Sequence, residues 1–361
     1  MLRSGFWAAG IAALIVTVIG SVSAVASAGV TAAPRWRVTY SSTTVMSGLT
    51  DIVALSASDV WAVGDVQPIS GRQRAFVRRW NGRSWSAVRL PRRYSSANLS
   101  VVAGSSARNV WVFGSYDIGS RRHEFALRWD GSWSRRGEWV SDSSVDAAAV
   151  ITPRDVWVFG RIGTWHFNGT KWRQASLPIR IFSVSVLSGN DIWVVGEDNT
   201  TNGPVLARYQ DRKWTTKALP PISSSFPGPV VTTLVAYSDG NIWVFAGLVT
   251  KAGYEHPIAL HWSGGTWHRP PFPLAYTWVN SAVPDGTGGL WAAYQGPYGG
   301  GLMAHFTGGH WRNVTLPHLR GKNTTVPVLT KAPRSRTVFA AGSSYWGGYP
   351  DTSALVLKYS R

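Results

Sequence analysis

Residues 59–64 read Asp59-Val-Trp61-Ala-Val-Gly64, and the phrase returns as Asn109-Val-Trp111-Val-Phe-Gly114, Asp155-Val-Trp157-Val-Phe-Gly160 and Asp191-Ile-Trp193-Val-Val-Gly196. It continues with substitutions as Asn241-Ile-Trp243-Val-Phe-Ala246, Gly289-Leu-Trp291-Ala-Ala293 and Thr337-Val-Phe339-Ala-Ala-Gly342. The aromatic positions 61, 111, 157, 193, 243, 291 and 339 are 50, 46, 36, 50, 48 and 48 residues apart. That is the period of a β-propeller blade, a unit that buries its apolar faces only against its neighbours.

A second phrase follows each of the first six: Trp80-Asn81-Gly82-Arg-Ser-Trp85, Trp129-Asp-Gly-Ser-Trp133, Phe167-Asn-Gly-Thr-Lys-Trp172, Tyr209-Gln-Asp-Arg-Lys-Trp214, Trp262-Ser-Gly-Gly-Thr-Trp267 and Phe306-Thr-Gly-Gly-His-Trp311. Asn-Gly and Asp-Gly between aromatic and β-branched runs mark hairpin turns, because these residues tolerate the positive φ of a twisted two-stranded ribbon. The second phrase therefore marks a blade's third and fourth strands, and the first phrase its first and second. The seventh unit, ending Ala354-Leu-Val-Leu-Lys-Tyr359, lacks a fourth strand, while Pro34-Arg-Trp36-Arg-Val38 reads like one without its hairpin. The sequence thus predicts an all-β, seven-bladed propeller of four antiparallel strands per blade, closed by pairing of residues 34–40 with 353–359 so that no sheet edge stays open.

These blades resemble those of secreted bacterial β-propeller repeat proteins with Asp-Val-Trp-Ala-Val-Gly units, within the Asp-box and kelch-like propellers. The resemblance covers nearly all of the chain after the leader and implies a fold, not an activity. The turns Gly82-Arg-Ser-Trp85 and Gly265-Thr-Trp267 are similar to the back half of a sialidase Asp-box. Where that motif has Asp two residues before the glycine, this chain has Trp80.

Residues 1–28 read as a secretory signal peptide: Arg3, an apolar run from Phe6 to Val22, and Ala26-Ser27-Ala28 as a cleavage site. Residues 29–361 form the propeller, secreted or held at the membrane by an uncleaved leader. The absence of cysteine excludes disulfides, thiolate metal sites and a Cys nucleophile. No metal-ligand spacing, phosphate loop or hydrolase motif occurs, so neither cofactor nor metal is expected. His261 and His305 share a third-strand position and read as structural.

Lys and Arg exceed Asp and Glu by 36 − 18 = +18, a field that attracts polyanions. Between Asp65 and Asp117 there is no acid but nine arginines; Arg72, Arg74, Arg92 and Arg93 are the candidate polyanion contacts.

Sixteen tryptophans recur at fixed strand positions and belong to blade packing. Trp139, Trp165, Trp278 and Trp346 break the repeat. Connections from second to third strand, and from fourth strand to the next blade, share one face and vary most, which marks that face for binding. The candidate ligand contacts there are Trp278, Trp346, Tyr276, Tyr294, Tyr298, Tyr345 and Tyr349, rings able to stack on sugars. The leading reading is a non-catalytic module, monomeric, binding extracellular glycan or an anionic envelope polymer and no specific nucleic acid sequence. The alternatives are an exported glycoside hydrolase or lyase, marked by a cluster of Glu197, Glu255 and His256, and a protein-docking platform. Asp117, Glu124, Asp198 and Asp351 are further acids outside the repeat.

Overall fold

The computed structural model describes residues 33–140, 143–177, 179–222, 229–249, 255–272, 278–295, 301–317, 319, 321–346 and 352–360. The leader lies outside them. Residues Pro34–Ser360 form one compact unit of seven four-stranded antiparallel sheets. Six sheets follow chain order, and in the seventh the strand Arg35–Ser41 lies outside Ser353–Ser360, Val338–Tyr345 and Asn323–Lys331. Arg35 faces Ser360 and Ser41 faces Leu355, with a bulge between Val38 and Tyr40. The N-terminal strand closes the ring as expected. The innermost strands of successive blades touch one another around the axis, including the last against the first.

The third blade has the shortest repeat, and its outer hairpin shows why. Thr164–Phe167 and Trp172–Ala175 are each four residues long, and a three-residue connection follows Gly160.

Buried apolar side chains of the described residues group into seven clusters, one at each seam between neighbouring blades. Five of the seven second-strand aromatic rings lean on an outer-strand tryptophan of the following blade. Trp61 meets Trp133 edge-on at 6.2 Å, Trp111 meets Trp172 at 6.0 Å, Trp157 meets Trp214 at 5.7 Å, Trp243 meets Trp311 at 6.0 Å, and Trp291 meets Trp36 at 5.3 Å. Edge-to-face geometry suits the ring quadrupole, and each large ring removes much apolar surface from water.

The acid that opens the repeated phrase does more than shape a turn. Asp191 takes a bidentate pair from Arg208 at 2.8 Å, and the guanidinium lies 4.9 Å over Trp193. Asp59, Arg79 and Trp61 repeat this arrangement. In other blades histidine replaces arginine: His166 on Asp155 and Trp157, His261 on Asn241 and Trp243, His305 on Asp285 and Trp291. An acid or amide at the start of the second strand, or in the sixth blade in the turn before it, a third-strand cation or imidazole, and a tryptophan between them form a recurring layer. His261 and His305 are held in this layer, as the sequence implied.

Candidate functional site

Near the start of every innermost strand the pairing register slips, between Leu49 and Asp51, Leu99 and Val101, Val145 and Ala147, Ile181 and Ser183, Val231 and Thr233, Val279 and Ser281, and Thr325 and Val328. A bulge inserts an extra residue and re-aims its side chain. In five blades the glycine ending the repeated phrase lies against it, while Ala246 and Tyr294 stand at that place in the fifth and sixth. A Cβ on Gly64, Gly114, Gly160, Gly196 or Gly342 would lie 2.0, 2.1, 2.2, 2.0 or 2.0 Å from an innermost-strand carbonyl oxygen just before or within the bulge.

The bulges place Thr50, Ser100, Asp146, Phe182, Thr232, Asn280 and Pro327 in the wall of an axial cavity of about 500 Å³. They stand at its end nearer the variable face, since each innermost strand enters from that side. Below them, innermost strands are tied across the seams by short polar side chains: Ala54 N–H to Thr330, Leu234 and Ala236 N–H to Ser183 and Ser185, and Leu329 N–H to Ser281. Asp51 accepts the N–H groups of Ile52 and Val102, each at 2.8 Å. Burial pushes its carboxyl up to about 7, against the lowering effect of those two bonds.

A second polar assembly lies at the same face on blade two. Tyr116 donates its hydroxyl to Glu138 at 2.7 Å, Arg93 reaches the same carboxylate at 3.1 Å, and Arg135 pairs with its other oxygen. His123 Nδ1 stands 3.2 Å from it. Burial acts to raise Glu138, but the Tyr116 hydroxyl and the Arg135 and Arg93 guanidiniums override it and hold the carboxyl below its ordinary value. Burial and the bond to Glu138 raise the Tyr116 phenol, which disfavours a phenolate there.

Five of the six exposed large apolar side chains among the described residues, Val45, Ile69, Ile118, Val140 and Trp346, lie in or beside connections of the variable face. Trp346 is 55 % exposed, and its ring edge runs past Gly321. Tyr345 beside it is half-buried. Trp278 is half-buried with its ring over Gly247. Tyr294 is only 2 % exposed: it packs against Phe272 and donates to Asn313 at 3.0 Å, so its ring faces the interior rather than a ligand. Tyr276, Tyr298 and Tyr349 lie outside the described residues, as do the side chains of Glu255 and His256 and all of Asp351. Trp139 and Trp165 pack together at 6.1 Å in the seam between blades two and three.

Arg72, Arg74, Arg92 and Arg93 are all exposed, and Arg93 pairs with Glu138. Glu197 stands 3.9 Å from Arg180, and Asp117 stands 4.0 Å from Arg122. Asp198 caps its own turn through the Thr200 and Thr201 N–H groups. Glu124 is 2 % exposed, and burial raises its carboxyl to about 7. Sequence reasoning passed over the axial wall. Its outward sign was the glycine of the repeated phrase, which in five of the seven blades lies against a bulge in the strand opposite.

No protein-family model matches the chain, nor does any curated protein sequence. Solved structures do match. A GH74 xyloglucanase from Xanthomonas campestris is 14 % identical, with a TM-score of 0.57 over 89 % of this chain and 55 % of its own. A puromycin-hydrolyzing peptidase from Mycobacterium tuberculosis is 12 % identical, with a TM-score of 0.54 over 86 % of this chain and 50 % of its own. A Lactobacillus plantarum protein is 11 % identical, with a TM-score of 0.51 over 88 % of this chain and all of its own. The chain spans about half the length of the first two. At such identities the likeness is one of fold.

Proposed function

We propose that this propeller is an exported, non-catalytic recognition module that binds a glycan or another cell-envelope polymer across its variable face. The observation that carries the reading is Trp346, a large ring 55 % exposed beside a half-buried tyrosine, on the face that gathers most of the exposed apolar side chains. An exposed indole costs solvation unless a partner covers it, and the apolar face of a pyranose is such a partner. Arg72, Arg74 and Arg92 add a long-range attraction for anionic polymers. The matched structures include a xyloglucanase and a peptidase, so the fold accommodates glycan chemistry without requiring it.

The test is binding of the purified protein to neutral and acidic polysaccharides at low and high salt, beside Trp346→Ala. Binding that resists salt and is lost in the variant supports the reading. Binding that vanishes with salt in both proteins leaves only the arginine field and refutes an aromatic site. Val45, Ile69, Ile118 and Val140 are aliphatic rather than stacking groups, and they favour a protein partner as the second reading.

A further inference from the structure

The axial mouth has a chemistry opposite to that of the molecule around it. The protein carries a net charge of +18, yet among the described residues no Lys, Arg or His lines the cavity; its acidic lining residues are Asp51 and Asp146. Asp51 is occupied by two backbone N–H groups below the mouth. Asp146 sits on a bulge at the mouth itself, is exposed, and accepts the Ser144 hydroxyl at 2.6 Å. Arg180, which is not in the wall, lies 4.8 Å over the Phe182 ring and stands 3.9 Å from Glu197.

The hydroxyls at the mouth are also polarised in one sense. Thr50 donates its proton to Leu99 O at 2.8 Å, Ser100 to Phe113 O at 3.4 Å and Thr232 to Phe245 O at 3.4 Å. A hydroxyl whose proton is spent on a carbonyl turns only lone pairs outward. Three such oxygens and one carboxylate make most of the rim an acceptor of hydrogen bonds, with the exposed Asn280 amide adding a donor and Phe182 an apolar wall. A rim of acceptors matches a ligand rich in donors, and a volume of about 500 Å³ is of the size that holds a small ligand.

We propose that the mouth is a subsite for an amino-sugar residue bearing a free ammonium group, with Asp146 taking the ammonium and the Thr50, Ser100 and Thr232 oxygens taking sugar hydroxyls. Uronate residues are repelled from the same place by Asp146. The proposal rests on the glycan reading above and names the residue that reading leaves open.

The experiment is calorimetric titration of the full protein, at high salt to suppress its overall charge, with short oligomers of glucosamine, of N-acetylglucosamine and of galacturonate. Wild type, Asp146→Asn and Trp346→Ala are compared. The expected result is that wild type binds the free-amine oligomer about tenfold more tightly than the N-acetylated one, the scale of a charge-assisted hydrogen bond. Asp146→Asn erases that preference. Equal affinity for the two oligomers in wild type, tighter binding of galacturonate, or a preference that survives Asp146→Asn overturns the subsite. If Trp346→Ala abolishes binding while Asp146→Asn changes nothing, the subsite fails and the glycan reading stands. If wild type binds no saccharide of any class, here or on the polysaccharide panel, both fail.

Discussion

Replacing Gly196 with alanine tests the link between the repeated phrase and the axial wall. A Cβ at this position would lie 2.0 Å from Arg180 O and 2.9 Å from Ile181 Cα. Ordinary contact between such atoms is about 3.5 Å, so the two strand backbones must part by roughly 1.5 Å. Both belong to a hydrogen-bonded sheet packed in two seams, and overpacking there should cost about 3 kcal/mol, or roughly 4 °C in melting temperature for a domain of this size. The strain acts within two residues of Phe182, so oligosaccharide binding should weaken as well. Gly48→Ala is the control, because nothing lies within 4 Å of its Cβ position; it should fall within about 0.5 kcal/mol of wild type. Ala246, opposite Val231, already fills the corresponding place in the fifth blade, and Ala246→Gly should cost only about 1 kcal/mol, the ordinary penalty of glycine in a strand. Thermal unfolding followed by near-ultraviolet circular dichroism reads all three. If Gly196→Ala melts with wild type, the approach of Arg180 O does not demand glycine in this blade and the account of the phrase is wrong.

Trp36→Ala should lower stability to denaturant by about 4 kcal/mol, since the ring is buried and meets Trp291 and Tyr359 at 5.3 and 5.5 Å. An unchanged midpoint would mean that the closing strand contributes nothing to the ring. Asp51 predicts a pH effect of definite sign. Its folded-state carboxyl titrates at about 7, against an ordinary 3.8, so between those values the folded protein keeps a proton that the unfolded chain has lost. Its contribution is therefore full below about pH 4 and disappears as pH rises through about 7. The stability difference between wild type and Asp51→Asn, measured by urea unfolding from pH 4 to 8, should shift against wild type across that window; a flat difference would refute it.

The strand count, ring closure and packing of the tryptophans were legible because each leaves a periodic mark. A residue that packs at a seam must recur in every blade, as Trp61, Trp111 and Trp157 do, and recurrence is what one sequence can display. The layer of Asp191, Trp193 and Arg208 was legible only in part. Its acid and ring are two residues apart, but its cation comes from the third strand and varies between Arg and His, so spacing did not join them. Tyr294 misled for a related reason: aromatic residues near a glycine-rich loop look exposed, whereas this one occupies the place of the repeat glycine and points inward. The bulge residues were hidden most completely. Thr50, Ser100, Asp146, Phe182, Thr232 and Asn280 share a position but little chemistry, so nothing marks them as a ring until the register is known.

That contrast bears on how a strongly basic protein can be selective. Charge on exposed arginines acts over roughly a Debye length, about 8 Å at physiological salt, and draws any polyanion to any part of the surface. It supplies encounter but little discrimination. Discrimination needs groups that are fixed, partly withdrawn from water and matched to one pattern of donors, and bulged strand residues in a packed ring meet that requirement. On the proposed reading the two roles are separated in space and opposite in sign. Exposed Arg72, Arg74 and Arg92 lie in and around the first blade's outer connections, while the acceptors Thr50, Ser100, Asp146 and Thr232 line the axis. A mixed envelope polymer would be held by the first set at its anionic groups and read by the second at a sugar that carries donors. Raising salt should then abolish the attraction to simple polyanions while sparing the preference among sugars.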